Sequence, residues 1–326
     1  MSADRPHPDS STAEPMSDRI AQPRMYTELA HLWTLVSAPS DYADEARHWR
    51  NVLYTKLGAG HHELLELGVG GGNNLSHILR PQVPDHGGQH TGGGCAPSKS
   101  PLERGFGGVS HQHKNTPRPS GTPLKRGKEN ATAEQDVIDA ATISFRATAV
   151  DLSDKMLNNS RLLNPDVEHH LGDMRTVRLG RKFDAVLIHD AISYMASEDD
   201  LVATFNTAAV HLERGGLFMT TPDHFEESFV EGAVSHNSNT EDGTTLTLIE
   251  YSHRPDHSRP VYETLMFYLI SEGGKVRIEQ DRHRFGLFPI ATWVRLLKEA
   301  GFDVEKYPYD VHDDHHESYL LVSTLR

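Results

Sequence analysis

The chain of 326 residues has one cysteine, Cys95, so it has no intramolecular disulfide framework and fits a reducing compartment. No apolar run approaches the roughly 20 residues that span a bilayer. The opening Met1-Ser2-Ala3-Asp4-Arg5-Pro6 lacks the apolar segment of a signal peptide. These absences lead us to expect a cytoplasmic protein. Positive charge is in deficit: 32 Lys and Arg face 46 Asp and Glu, a formal net charge of −14. With no clustered basic face, this balance argues against DNA or RNA as the main partner. The length is enough to bury a substantial core.

Two common nucleotide motifs are also missing. The apolar run Leu64-Leu65-Glu66-Leu67 leads into Gly68-Val69-Gly70-Gly71-Gly72, then Asn73-Asn74-Leu75-Ser76-His77-Ile78-Leu79. The first segment reads as a strand and the last as the opening turns of a helix. A dinucleotide G-x-G-x-x-G would need glycine at 73, where Asn73 stands, and a P-loop would need Gly-Lys-Ser/Thr. What remains is a strand, a tight glycine turn and a helix N-terminus, which together make a nucleotide-binding corner. Glycine tolerates positive φ and offers bare backbone. The free N–H groups of the first helical turn favour electron-rich ligand atoms.

The spacing Glu66-x-Gly68-x-Gly70-x-Gly72 resembles motif I of class I S-adenosylmethionine (SAM) dependent methyltransferases. That resemblance implies that Glu66 helps hold the methionine end of the cofactor and that the glycines pass beneath it. Further segments extend the likeness. Val150-Asp151-Leu152-Ser153-Asp154-Lys155-Met156-Leu157 is similar to the second motif, which assigns Asp151, Leu152 and Met156 to cofactor binding. The nucleotide corner expects a ribose-binding carboxylate about 20 residues after its glycines. Asp151 lies 79 positions after Gly72, and removing an insertion of about 60 residues restores the spacing.

That insertion is expected at 81–141, where Gly92-Gly93-Gly94, Gly105-Phe106-Gly107-Gly108 and Pro117-Arg118-Pro119-Ser120-Gly121 replace any hydrophobic period. We read it as disordered and low in complexity, either without function or an artefact of the gene model. Its basic stretch Lys125-Arg126-Gly127-Lys128 is nearly balanced by acids across the insert. Residues 1–22 read as a disordered tail, which leaves 23–80 and 142–326 as one methyltransferase domain.

From Met25 the positions Tyr26, Leu29, Trp33 and Val36 recur at helical spacing, and a second helix capped by Ser40 or Asp41 runs to Leu57. The segment Met25 to Trp33, with Asp41-Tyr42-Ala43, resembles the N-terminal lid of small-molecule methyltransferases, including those that N-methylate amino sugars. Trp33 reads as a core aromatic. Tyr26 and Tyr42 read equally as core aromatics or as lid residues facing catalysis and substrate.

Strand Val167 to Leu171 ends in Gly172-Asp173-Met174-Arg175, which resembles the family's adenine-contact motif. Asp173 would accept from the exocyclic amine and Met174 would pack on the ring; a surface turn is the plainer alternative. His169-His170 read as exposed neighbours. Strand Phe183 to Ile188 ends in His189-Asp190-Ala191-Ile192-Ser193-Tyr194, beyond the carboxyl end of a parallel strand, where ligands sit. His189 and Asp190 are therefore expected at the cofactor. His189 either removes the acceptor's proton, with Tyr26 assisting, or only lines the pocket. Tyr42, Tyr194, His283 and Arg284 are the candidate substrate residues, although His283 and Arg284 are equally fitted to partner the acidic surface.

Helix Glu198 to Leu212, closed by Arg214-Gly215-Gly216, leads to strand Leu217 to Thr221. Three alternating segments follow, Thr244 to Tyr251, Tyr262 to Ile270 and Lys275 to Arg284, resembling an auxiliary sheet over the substrate side. Helix Ile290 to Ala300 precedes a closing hairpin, Asp303 to Tyr309 and Ser318 to Leu325. Its link His312-Asp313-Asp314-His315-His316-Glu317 has the composition of a metal cluster but reads as a solvated turn, so no metal is expected.

The expected fold is α/β: a Rossmann-like, seven-stranded, mostly parallel sheet with an antiparallel last strand, helices on both faces, and a small antiparallel β extension on the substrate side. The resemblance implies methyl transfer from S-adenosylmethionine to nitrogen or oxygen of a small molecule by in-line displacement. A non-catalytic SAM-binding or interaction protein on the same fold is the alternative, and a nicotinamide dehydrogenase a weaker one.

Overall fold

The computed structural model describes residues 22–81, 142–309 and 318–326. The expected tail before Gln22, the insertion after Pro81 and the His312–Glu317 link lie outside the described residues.

Seven strands build the main sheet: β1 (Gly60–Leu67), β2 (Ile143–Asp151), β3 (Glu168–Leu171), β4 (Phe183–Ile188), β5 (Leu212–Thr220), β10 (Phe302–Pro308) and β11 (Tyr319–Leu325). Their order is β10-β11-β5-β4-β1-β2-β3, and β11 runs antiparallel to both neighbours while the other pairs are parallel. β4 is a nearly continuous apolar run, as a central parallel strand covered on both faces requires. One face packs Trp49 and Leu53 of α2 (Ala43–Leu57) and Leu75 and Ile78 of α3 (Asn73–Leu79) against Leu64, Ala185, Leu187 and Val322. The opposite face packs Phe205 of α5 (Glu198–Val210) and Trp293 of α6 (Ile290–Glu299) against Leu65, Val186, Phe218 and Phe302. Helix α4 (Asp154–Leu163) follows β2 and is capped by Ser153, whose Oγ accepts from Met156 N–H at 3.2 Å.

Three local expectations change. First, the lid is not one helix. It is a 3-10 turn at Arg24–Tyr26, a second at Ala30–Leu32, and the short α1 (Trp33–Val36). Thr27 Oγ1 donates back to the carbonyls of Pro23 and Arg24, competing with helix propagation there. The helical period survives as packing: Met25, Leu29, Leu32, Leu35 and Val36 share an apolar cluster with Leu246, Leu248, Tyr268 and Ile270 of the second sheet.

Second, that sheet has four strands rather than three, in the order β6 (Val234–Glu241), β7 (Thr244–His253), β8 (Val261–Glu272), β9 (Lys275–Gly286), all antiparallel. β6 is a polar edge strand without an apolar alternation to betray it. Its Asn239 donates to Leu35 O at 2.9 Å, tying the sheet to the lid. Third, α5 ends at Val210 and β5 begins at Leu212, five residues early. A bulge absorbs the Arg214-Gly215-Gly216 stretch, since Phe183 pairs with Leu212 but Ala185 with Leu217.

Among the described residues no helix is long and apolar enough to cross a membrane, and no group of three or more His, Cys, Asp or Glu is placed to hold a metal ion.

Candidate functional site

The site begins where β1 and β2 end side by side. Leu67 pairs with Val150, and the N–H groups of Gly68 and Val69 both donate to Val150 O, at 2.7 and 3.1 Å. The chain then turns through Gly70, whose N–H donates to Asp151 Oδ2 at 2.8 Å, while Ser153 N–H donates to Asp151 Oδ1 at 2.8 Å. Burial raises the Asp151 pKa, opposed by these backbone donors. At Gly68, φ is +73° and a Cβ would stand 2.8 Å from Met174 Cε, so Met174 lies directly on the loop. At Gly71 the Trp33 indole leaves no room for a side chain. Trp33 is thus both a lid residue packed on the loop and part of the lid's apolar cluster. Its Nε1 is buried without a hydrogen-bond partner. Met156 Cε approaches Gly70 at van der Waals distance, 3.9 Å from a Cβ there.

Glu66 pairs in register with Ala149 and Leu187 and is buried to 2%. Its Oε2 has no hydrogen-bond partner, and burial pushes its pKa up to about 8, with the His189 charge pulling the other way. Outside this floor, a cleft of about 380 Å³ is lined by Tyr26, Leu152, Ser153, Lys155 and Leu171. Leu152 and Leu171 present exposed apolar faces to it. Asp173 is held by Arg175 Nη2 at 2.7 Å, and Arg175 also reaches Asp200 at 2.7 Å. Burial opposes ionisation of Asp173, but the Arg175 guanidinium keeps its carboxyl below the usual range. Of this turn, Met174 is the residue that reaches the glycine loop.

His189 follows β4 and is buried. Its Nε2 lies 3.0 Å from Glu45 Oε2 and its Nδ1 3.4 Å from Asp190 Oδ1. Burial disfavours its charged form, yet the carboxylates of Asp190 and Glu45 hold the imidazolium well above the ordinary histidine range. Tyr42 packs edge-on to His189 with ring centroids 6.0 Å apart, and its hydroxyl pairs with Ser37 Oγ at 2.7 Å.

A second constellation stands behind the lid. Tyr26 OH meets Tyr194 OH at 2.7 Å, and Tyr194 OH meets His283 Nδ1 at 2.7 Å. His283 Nε2 meets Asp281 Oδ2 at 3.2 Å, and the backbone N–H of Met25 donates to the same oxygen at 3.0 Å. Arg284 is not part of this group: it alternates to the other face of β9, with a buried Nε lacking a hydrogen-bond partner. His169, expected to be exposed, is half-buried and bonded to Ser160 Oγ at 2.8 Å.

Four carboxylates of the site were not anticipated from the sequence. Glu45 and Asp281 are the partners of the two histidines. Asp223, just past β5, donates its N–H to Ser193 Oγ at 2.9 Å, and its pKa is pushed up to about 8 by burial and then by Asp190. Glu250 is buried to 3%, accepts from Ser235 Oγ at 2.8 Å, and burial pushes its pKa up to about 7. Asp281 and His283, two apart on one strand, share a face by the period of β structure, a signal the sequence did carry. The charges of Asp190 and Asp151 reach Glu66, and those of Asp190 and Glu250 reach Asp223, so these carboxylates form one acidic neighbourhood whose ionisation a cationic ligand would favour.

The glycine loop and Asp151 at the carboxyl ends of a seven-stranded sheet have the geometry of a nucleotide-binding α/β domain. Comparison with known proteins narrows this. Residues 135–216 match the model of a methyltransferase domain. The chain is similar to dTDP-3-amino-3,4,6-trideoxy-alpha-D-glucopyranose N,N-dimethyltransferase of Streptomyces venezuelae, 35% identical over 166 residues that cover 50% of this chain and 69% of that protein. A similar enzyme of Streptomyces fradiae, dTDP-3-amino-3,6-dideoxy-alpha-D-glucopyranose N,N-dimethyltransferase, is 31% identical over 49% of this chain and 62% of its own length. Among solved structures, Streptomyces venezuelae DesVI has the same fold, with a TM-score of 0.60 and 23% identity over 92% of this chain and 96% of that one. SAM-bound CalS10, an amino pentose methyltransferase from Micromonospora echinaspora, gives a TM-score of 0.58 at 19% identity, covering 87% of this chain and 92% of its own. The chain belongs to the class I SAM-dependent methyltransferases, and S-adenosylmethionine is its methyl donor. Both curated relatives and CalS10 are named as methyltransferases, which favours catalysis over the non-catalytic alternative.

Proposed function

We propose that the chain methylates the amine nitrogen of a sugar carried on a nucleotide, the acceptor class in the names of its relatives. The observation that carries this reading is the pair of carboxylates at the strand ends beside the glycine loop, Asp151, which accepts from Gly70 N–H, and Glu66, whose buried Oε2 has no hydrogen-bond partner among the described residues. A sulfonium and an ammonium are the ligands such a pocket accepts. The same residues fit S-adenosylmethionine: Gly68, Gly70 and Gly72 as the floor, Glu66 and Asp190 toward its methionine end, Asp151 for the ribose, and Leu152, Met156, Asp173 and Met174 toward the adenine. When bound, S-adenosylmethionine supplies an electrophilic methyl group on sulfur.

The protein's own contribution is alignment and proton handling. Tyr26 and Tyr42 belong to the lid, and Tyr194 and His283 stand behind it. His189, held as an imidazolium between Glu45 and Asp190, is poorly suited to accept a further proton, so we assign it to orienting the acidic site rather than to deprotonating the acceptor. A cytoplasmic setting agrees with the composition.

The test is calorimetric titration with S-adenosylmethionine, followed by incubation with dTDP-3-amino-3,6-dideoxy-α-D-glucopyranose and, separately, a panel of phenols. Methylated aminosugar supports the proposal. Methylation confined to phenols would move the acceptor from nitrogen to oxygen, and binding without transfer to either would return the non-catalytic reading.

A further inference from the structure

The chain of contacts Tyr26, Tyr194, His283, Asp281 has a direction, and the direction follows from its far end. Asp281 Oδ2 receives two contacts, from Met25 N–H at 3.0 Å and from His283 Nε2 at 3.2 Å. A backbone N–H can only donate, so the oxygen it meets is an acceptor. Asp281 is ionised there: burial works against the charge, but His283 and the backbone donors hold its pKa below the ordinary range. The carboxylate therefore takes a hydrogen from Nε2, which in a ring carrying one proton leaves Nδ1 as a lone-pair acceptor. Tyr194 must then give its hydroxyl proton to Nδ1, at 2.7 Å. Its oxygen consequently accepts from Tyr26, whose hydroxyl is 2.7 Å away. Tyr26 is left with lone pairs of its own, and its hydroxyl lies within reach of the charges of Asp190, Asp151 and Asp223, on the acidic side of the site.

We propose that Tyr194, His283 and Asp281 form a proton outlet that leads from the Tyr26 hydroxyl to the inward face of the second sheet, and that it accepts the proton an amine acceptor must lose before methylation. The proposal rests on the amine reading above. One proton moves in net terms. The acceptor's N–H bond breaks as its proton passes to the Tyr26 oxygen. The Tyr26 proton passes to Tyr194, the Tyr194 proton passes to His283 Nδ1, and a new Nδ1–H bond forms. The resulting imidazolium faces the Asp281 carboxylate, and the amine nitrogen keeps the electron pair. Neither tyrosine has to become a phenolate at rest, which burial of both hydroxyls strongly disfavours.

His283 is 1% exposed and sits on β9, Tyr194 follows β4, and Tyr26 belongs to the lid, so the relay is complete only with the lid in place. The other charged and titratable groups around it are Asp190 and Asp223, which act on both tyrosines, Asp151, which acts on Tyr26, Tyr268, near Asp281, and Arg24, which is engaged by Glu28 and Glu279. Tyr194, His283 and Asp281 act here through Tyr26 and are positioning residues.

Two measurements on the full chain test it. Nitrogen-15 spectra of labelled histidine, with His283 assigned by loss of its signal in His283→Asn, report the tautomer without any substrate. The Nε2–H form is expected, and an Nδ1–H form would overturn the direction of the chain. Turnover is then followed against pH with S-adenosylmethionine and dTDP-3-amino-3,6-dideoxy-α-D-glucopyranose as probes. Tyr194→Phe, which removes only an oxygen, and His283→Asn should each lower kcat about 100-fold near neutral pH. S-adenosylmethionine affinity should stay within about twofold, because the relay lies outside the cofactor floor. The deficit should narrow to under about tenfold once the medium is basic enough to deliver the amine deprotonated. Unchanged turnover in Tyr194→Phe, or a deficit that is the same at every pH, would overturn the proposal. Absence of any methyl transfer by the unaltered chain would sink the amine reading instead, while the tautomer still tests the relay independently.

Discussion

The backbone N–H of Gly70 donates to a carboxylate oxygen of Asp151 at 2.8 Å, across 81 positions of sequence. The contact joins the two halves of the domain at the point where the cofactor floor forms. In the proposed site this carboxylate accepts from the ribose hydroxyls of S-adenosylmethionine. Asp151→Ala is expected to weaken its binding by about 100-fold, the loss of roughly two charge-assisted hydrogen bonds. Calorimetric titration of the folded variant checks this, and affinity equal to the parent's would remove Asp151 from the site.

Glu66 should make cofactor binding depend on pH. Its folded pKa, about 8, lies above the ordinary glutamate value. The folded protein therefore keeps a proton that the unfolded chain releases from about pH 4 upward, so this group's stabilising contribution is full at low pH and declines as pH rises toward about 8. A cation binding beside Glu66 favours the ionised form. Binding of S-adenosylmethionine near neutral pH is thus expected to release a proton and to strengthen as pH rises toward about 8. Calorimetry in buffers of different ionisation enthalpy measures the release, which Glu66→Gln should diminish. Buffer-independent heats for the parent would contradict it.

His189 stands between the buried carboxylate of Glu45 and the half-exposed carboxylate of Asp190. In His189→Ala those charges lose their counterion, and denaturant unfolding should show a loss of about 3–5 kcal/mol. In whatever fraction stays folded, turnover should fall further than cofactor affinity, since the change disturbs the acceptor side more than the glycine loop. Unaltered stability would mean that Glu45 and Asp190 are charged independently of the histidine.

Much of the central sheet was legible in the sequence because parallel strands buried on both faces are written as apolar runs. Phe183 to Ile188 is the clearest case, with bounds that the structure reproduces. The Asp151 spacing points to an interruption, since a carboxylate belongs about 20 residues after the glycines. Harder to read were features whose cause lies in another element. The polar strand Val234–Glu241 exists because its neighbour offers a ladder and the lid offers carbonyls, and nothing in its own composition announces it. Glu45 looks like any surface acid on a helix, yet it faces inward beside His189. The pairing of Tyr26 with Tyr194 spans 168 positions, beyond any local pattern.

If the insertion is without a structural role, the domain tolerates its loss. Replacing residues 82–141 by a short Gly/Ser linker between Pro81 and Thr142 is expected to leave S-adenosylmethionine affinity within about threefold, because a shorter loop between paired strands costs less closure entropy. Circular dichroism and the same titration check this. A variant that folds but no longer binds would give the insertion a part in the site.

Presentation of a methyl donor to an amine by the glycine loop and Asp151 is tested most directly by mass spectrometry. The sample is dTDP-3-amino-3,6-dideoxy-α-D-glucopyranose incubated with the protein and S-adenosylmethionine bearing a deuterated methyl group. The expected result is labelled methyl on the sugar nitrogen, with S-adenosylhomocysteine formed in equal amount and both lost in Asp151→Ala. An unlabelled sugar beside a protein that binds S-adenosylmethionine would contradict the amine acceptor, and no binding at all would contradict the site.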